Sequence, residues 1–352
     1  MEDLVEYLGE GTLLVLAGGL IGLCFGAAAY ASRFCLRAAT VEVADGAAGA
    51  RLSIWLVAFF GALLSVQLAS AAGVLEVGSA RQLAATGSLS GAIVGGLMFG
   101  AGMVLARGCA SRLLVLSASG NLRAIVTGLV LTLTAQASLR GVLAPAREAI
   151  AGLWTVPGGA TRSLGVTLGL GNGVVVLGAF ICLAGALAFG LRHWVRLWEL
   201  AAALVVGLCV YAGWQATYAI SNASFEIVAV ESLTFTGPST DTLMAFINAR
   251  ALPAGFGMGL VIGVFLGAMA AAMIRGEARI QRFEPDTPME RYLVGGVLMG
   301  FGSMLAGGCA VGAGLSGGAI LATTAWLAVF SMWVGAVLTH RAMSYRGGVR
   351  LA

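Results

Sequence analysis

Charge is what this 352-residue sequence has least of: Asp, Glu, Lys and Arg together make 10% of it, whereas 59% is apolar. Lysine is absent altogether, so all 20 basic residues are Arg. A water-facing surface needs roughly a quarter or more of its residues charged, and this chain cannot supply one. Cysteine is sparse as well. Cys24, Cys35, Cys109, Cys182, Cys209 and Cys309 form no CxxC pair, which argues against a disulfide scaffold or a zinc site of ordinary spacing. With two His in the whole chain, no regular haem, iron-sulfur or other metal ligand set is visible, and no cofactor is expected. No GxxxxGK[ST] loop occurs, so the chain does not hydrolyse ATP by itself. An Asn-Pro-Ala water-channel signature is missing too. The N-terminus lacks the basic residues of a signal peptide and carries Glu2, Asp3, Glu6 and Glu10 instead, so the first apolar run is expected to stay in the protein.

What is present is apolar sequence in lengths of about 20 residues, enough to cross a bilayer as helix. Strand-like alternation does not occur in runs such as Leu200 to Val210, which excludes a transmembrane barrel. The reading is an all-α polytopic membrane protein. Nine crossings are expected, at about 12–31, 54–77, 89–118 (interrupted), 124–139, 164–191, 197–219, 252–274, 292–318 (interrupted) and 320–339. With the N-terminus outside, the inner loops hold 13 Arg and the outer ones five; the bias predicts N-out, C-in by the positive-inside rule. The net charge of +4 therefore reads as topology, not as a nucleic-acid surface. The 53 Gly predict close helix packing. The outer stretches 140–163 and 220–251 are long, and the second is expected to hold a short interfacial helix.

The chain also matches itself at an offset of 200. Gly95 to Ala110 aligns with Gly295 to Ala310, sharing five Gly, the Cys and flanking Leu and Ala. These segments are the third and eighth crossings and run in opposite directions, which predicts an inverted repeat: 1–140 as the first repeat, 164–191 as a connecting span and 197–345 as the second repeat, within one membrane domain spanning 1–352. Both copies break at the same place, Arg107-Gly108-Cys109 and Gly307-Gly308-Cys309. Interrupted helices in inverted repeats belong to transport proteins, where exposed helix ends bind ions while protein covers the freed backbone. Gly108, Gly307, Gly308 and Gly312 are the expected break backbone. The amides of the resumed segments suit an anion, and Arg107 and Arg112 suit its attraction.

The paired Gly-Cys segments, with Gly22-Leu23-Cys24-Phe25-Gly26 and Ser32-Arg33-Phe34-Cys35-Leu36, resemble the YeeE/YedE family of bacterial inner-membrane sulfur-transport proteins along essentially the whole chain. The resemblance implies an inverted-repeat bundle pinched at its middle, import of thiosulfate, and functional thiols at Cys35, Cys109 and Cys309. It also implies a separate cytoplasmic sulfur carrier of the TusA type as partner. One departure is that Gly307 stands where the first repeat has Arg107, which leaves the two halves electrically unequal.

Thiols are weak hydrogen-bond donors and polarizable, so a row of them can pass a sulfur anion without holding it. Cys35 lies beside Arg33 and Arg37, which favour thiolate, whereas Cys24, Cys182 and Cys209 read as packing residues. Gln67, Gln136, Gln215 and Asn222 read as inter-helix hydrogen-bond formers, His193 and His340 as interfacial. Two classes of function remain open on this sequence: a non-enzymatic multi-pass permease for thiosulfate or another sulfur or selenium species, and a membrane sulfurtransferase or thiol oxidoreductase using Cys109 or Cys309 covalently.

Overall fold

The computed structural model describes residues 7–224, 226–248, 254–283 and 288–347. Glu2, Asp3 and Glu6 of the acidic N-terminus, and Arg250 and Arg350 of the charge count, lie outside the described residues. Helices dominate because runs with almost no charge can satisfy their backbone only internally in lipid. They are α1 (Glu10–Ala31), α2 (Leu36–Ala44), α3 (Ala50–Ala71), α4 (Leu89–Leu105), α5 (Ala110–Ala118), α6 (Leu122–Arg140), α7 (Ala144–Gly152), α8 (Asn172–Arg192), α9 (Leu197–Ala223), α10 (Thr236–Asn248), α11 (Phe256–Ile274), α12 (Met289–Ala306) and α13 (Thr323–Gly347), with a π-helical segment at Ala310–Gly317. Among the described residues, nine helical stretches are long and apolar enough to cross a membrane. A two-residue antiparallel pairing, Gly87–Ser88 with Thr155–Val156, is the single sheet there.

Both expected interruptions are present, between α4 and α5 and between α12 and the π-helical segment. Two boundaries differ from the sequence reading. The fifth crossing begins at Asn172 rather than 164, because Leu164–Thr167 forms a separate turn ended by Gly169 in the left-handed region (φ 63°). Nine further residues after the first crossing, Leu36–Ala44, make a short helix that apolar-run counting passes over. The expected helix in 220–251 is found as α10.

Small residues set the packing. An added Cβ at Gly95 would meet Gly302 O and the Ala306 amide, each at 2.5 Å; one at Gly295 would meet Gly102 O and the Ala106 amide, each at 2.7 Å. The numbering of α4 rises where that of α12 falls, so the two helices lie antiparallel. The outer neighbours are equally reciprocal: Gly100 abuts Met332 and Ala336 on α13, and Gly300 abuts Leu131 and Ala135 on α6. Farther out α1 packs on α11, and α3 on α9. Glycine is required at these crossings because any side chain would separate the backbones whose dispersion contacts hold the bundle together.

Candidate functional site

Each of three cysteines stands at the N-cap of a helical segment: Cys35 before α2, Cys109 before α5 and Cys309 before the π-helical segment. Two residues ahead of each, the backbone turns left-handed, at Arg33 (φ 53°), Arg107 (φ 55°) and Gly307 (φ 77°). This is one local motif used three times. The left-handed residue stops the preceding helix, and the cysteine opens the next one, whose first amides have no carbonyl partner within the helix. For Gly307 that conformation is free, whereas for Arg it costs about 1–2 kcal/mol, so the guanidinium is retained at a structural cost.

Cys109 and Cys309 are each 1% exposed and Cys35 is 9% exposed. The thiols of Cys35 and Cys109 are near neighbours, and Cys109 Sγ is 3.4 Å from Ser111 Oγ. Cys309 Sγ accepts from the Gly312 amide at 3.4 Å and lies 3.9 Å from Thr234 Oγ1. Each half thus offers a buried thiol beside a hydroxyl, Ser111 in the first and Thr234 in the second. The segments that follow, α5 and Ala310–Gly317, touch one another.

Of the expected break glycines, Gly108, Gly308 and Gly312 are buried, and Gly307 is exposed. Gly312 is held to glycine by its neighbour, since an added Cβ would collide with Thr234 Oγ1. Cys24 and Cys182 face outward and Cys209 is buried in plain helix. Gln67 donates to Ala319 O at 2.6 Å, and Gln215 Oε1 is buried without a partner among the described residues. His340 Nε2 meets Asp45 Oδ1 at 2.8 Å and ties α13 to the end of α2.

Beside Cys35 a cavity of about 880 Å³ opens at the arginine-rich end of the bundle, lined by Arg33, Arg37, Arg51, Arg107, Arg112 and Arg279 with Glu42 and Glu277. Arg107 and Arg112 were legible as anion-attracting residues. Arg51 and Arg279 figured only in the topology count, and Tyr30, whose hydroxyl donates to Glu277 at 2.6 Å, carried no signal. Their common feature is that they follow the ends of separate crossings, which converge only when folded. Six guanidinium groups against two carboxylates make the cavity positive, and Arg112 Nη1 and Arg37 Nε are buried without partners among the described residues. Such atoms demand an acceptor, because a desolvated unpaired donor is costly.

At the opposite end of the thiol region, the segment 230–235 is threaded between helices. Burial holds the Glu231 carboxyl above the usual carboxylate range, against the pull of Arg81 and with Asp241 reinforcing the shift.

A family model for sulphur transport matches residues 31–338. The chain belongs to the sulphur transport family. It is 30% identical over 260 residues to the thiosulfate transporter TsuA of Spirochaeta thermophila, covering 68% of this chain and 74% of that protein. A shorter match of 31% over 133 residues relates it to the thiosulfate transporter TsuA of Escherichia coli K12, over 38% of this chain and 36% of that protein. The matched family region contains all three N-cap cysteines and every arginine of the cavity.

Proposed function

We propose that the chain is an inner-membrane permease importing a small sulfur anion, thiosulfate first, along a route that passes Cys309, then Cys109 and Cys35, and leaves through the arginine-lined cavity. The observation that carries this reading is the threefold use of one motif: a left-handed break, a buried thiol at an N-cap and helix-start amides without an intrahelical carbonyl partner. Thiosulfate has one sulfur end and three oxygens. The oxygens take hydrogen bonds from amides and guanidinium groups, and the terminal sulfur is matched by polarizable thiols.

The cavity holds roughly 30 waters at about 30 Å³ each, so an anion there keeps its hydration. Selection then belongs to the tight thiol positions, and the cavity acts through charge. Its arginines lower the energy of the anion at the inner end and give it somewhere to leave to. Sulfur passes by exchange of hydrogen bonds, with no covalent intermediate and no bond made or broken in the solute.

The reciprocal surroundings of Gly95 and Gly295, and of Gly100 and Gly300, support an inverted repeat of 1–140 and 197–345 about the connecting span 164–191. N-out, C-in orientation places the cavity on the cytoplasmic side, where its width and charge suit delivery to a separate sulfur carrier of the TusA type. The test is uptake of labelled thiosulfate by cells lacking their own importers, comparing wild type with C109A and C309A at equal expression. Uptake by wild type and its loss in both variants is expected. Normal uptake in both variants would remove the thiols from the route.

A further inference from the structure

The two halves treat their buried thiols differently. Cys109 meets the Ser111 hydroxyl at 3.4 Å and lies near Cys35, which lines the cavity with six arginines, whereas Cys309 meets Thr234 at 3.9 Å, away from that cavity's lining. At the break before Cys309 there is no counterpart of Arg107, because Gly307 stands there. An anion reaching Cys309 therefore has to be held by neutral donors.

Thr234 is presented to that position by a clamped strand of chain. Thr217 Oγ1 donates to Glu231 O at 2.6 Å and accepts from the Glu231 amide at 3.2 Å. Ser232 Oγ donates to Val210 O at 2.7 Å, and Ser316 Oγ donates to Leu233 O at 2.6 Å. Three consecutive residues are thus fastened from α9 and from the π-helical segment. The next residue is Thr234, and the Phe235 ring beyond it packs on Phe25 with centroids 5.2 Å apart. Thr234 is half-buried while Cys309 is 1% exposed. Its hydroxyl has one hydrogen-bond contact among the described residues, the 3.9 Å approach to Cys309 Sγ. That contact is long and weak, which leaves the hydroxyl hydrogen free to turn elsewhere. Gly312 completes the arrangement: a Cβ there would occupy the place of Thr234 Oγ1, and the Gly312 amide already points at the Cys309 sulfur.

We infer that Thr234 is a specificity-determining residue, which donates its hydroxyl hydrogen to an oxygen of the sulfur anion held at Cys309, while the thiol and the Gly312 amide face the rest of the solute. This rests on the permease reading and names the hydroxyl that stands beside the thiol in the second half, as Ser111 does in the first. The hydroxyl is a stronger donor than the thiol, as a break without arginine requires. A thiol-only position discriminates little between oxyanions and soft anions; a hydroxyl beside a thiol favours a solute carrying both oxygen and terminal sulfur.

The experiment is calorimetric titration of thiosulfate into the full chain in detergent, for wild type, T234S, T234V and C309A, each checked for monodisperse elution and an unchanged melting transition. T234S is expected within about twofold of wild type, and T234V to bind about tenfold or more weakly, the loss of one hydrogen bond to a charged acceptor. T234C, similar in size with a weaker donor, is expected between them and replaces T234V should that variant aggregate. Wild-type affinity in T234V or T234C together with loss in C309A overturns the assignment of Thr234 and leaves the route intact. No binding by wild type overturns both. Weak binding in T234V with normal binding in C309A keeps Thr234 and removes Cys309.

Discussion

Arg107 and Gly307 occupy the same left-handed backbone position, φ 55° and 77°, two residues before a buried cysteine. The conformation is inherited from the shared fold of the break; the charge is added in one half only. Replacing Arg107 with glycine relieves about 1 kcal/mol of backbone strain, partly offset by the freer unfolded chain. R107G is therefore expected to melt no lower than wild type while its KM for thiosulfate uptake rises several-fold. A KM equal to that of wild type would show that the guanidinium serves only the fold.

The cavity arginines act through charge, so their contribution falls with salt. R112Q removes the buried guanidinium whose Nη1 has no partner among the described residues. Uptake at low ionic strength should drop several-fold in this variant, and its residual rate should respond less to added salt than that of wild type. Uptake assayed across a salt series checks both.

Thiol chemistry separates the cysteines by position. Cys24 and Cys182 face outward on their helices, whereas Cys35 lines the cavity against Cys109. C24A and C182A are expected to transport as wild type. In a chain carrying both of these changes, a small charged thiol reagent added from the cavity side should modify Cys35 first and stop uptake, and thiosulfate should slow that modification. Mass spectrometry of the labelled chain reports the site.

The crossing glycines limit what the bundle accepts. A Cβ at Gly100 or Gly300 meets the backbone of the neighbouring helix, and overpacking costs about 1–3 kcal/mol per site or more where backbone cannot shift. G100V and G300V should each lower the melting temperature and the yield of monodisperse protein, and by similar amounts if the two sites are reciprocal. Strongly unequal losses would argue against the repeat.

Glu231 gives the stability a pH dependence of known sign. Its native pKa lies above the ordinary value of 4.5 because burial disfavours the charged form. The native state then keeps the proton to higher pH than the unfolded chain, so this stabilisation is complete below 4.5 and is lost as pH rises through the native value. Melting temperature should fall over that interval in wild type and stay flatter in E231Q.

The crossings, and both interruptions within them, were legible because a bilayer demands long uncharged runs, and because Gly-Cys recurs at an offset of 200. Cys109, Cys309, Arg107 and Arg112 followed from the same repetition. Leu36–Ala44 was not legible, since nine residues carry no membrane-length signal, and Leu164–Thr167 was absorbed into the next crossing because both are apolar. The Cys35 to Cys109 contact joins residues from different crossings and has no local signature. Thr234 was hidden for a related reason: it reaches Cys309 from a different segment of chain, and 233–236 resembles 33–36 only in a phenylalanine displaced by one position.

The central claim is passage of the intact solute through this chain alone. Purified protein reconstituted into liposomes, with thiosulfate labelled separately at its two sulfurs, measures it directly. The account predicts that both labels enter at equal rates, that C309A abolishes entry, and that the protein's mass is unchanged at the end of the time course. Entry of one label without the other, or a mass gain of one sulfur on Cys109 or Cys309, would contradict it and mark the chain as a sulfurtransferase.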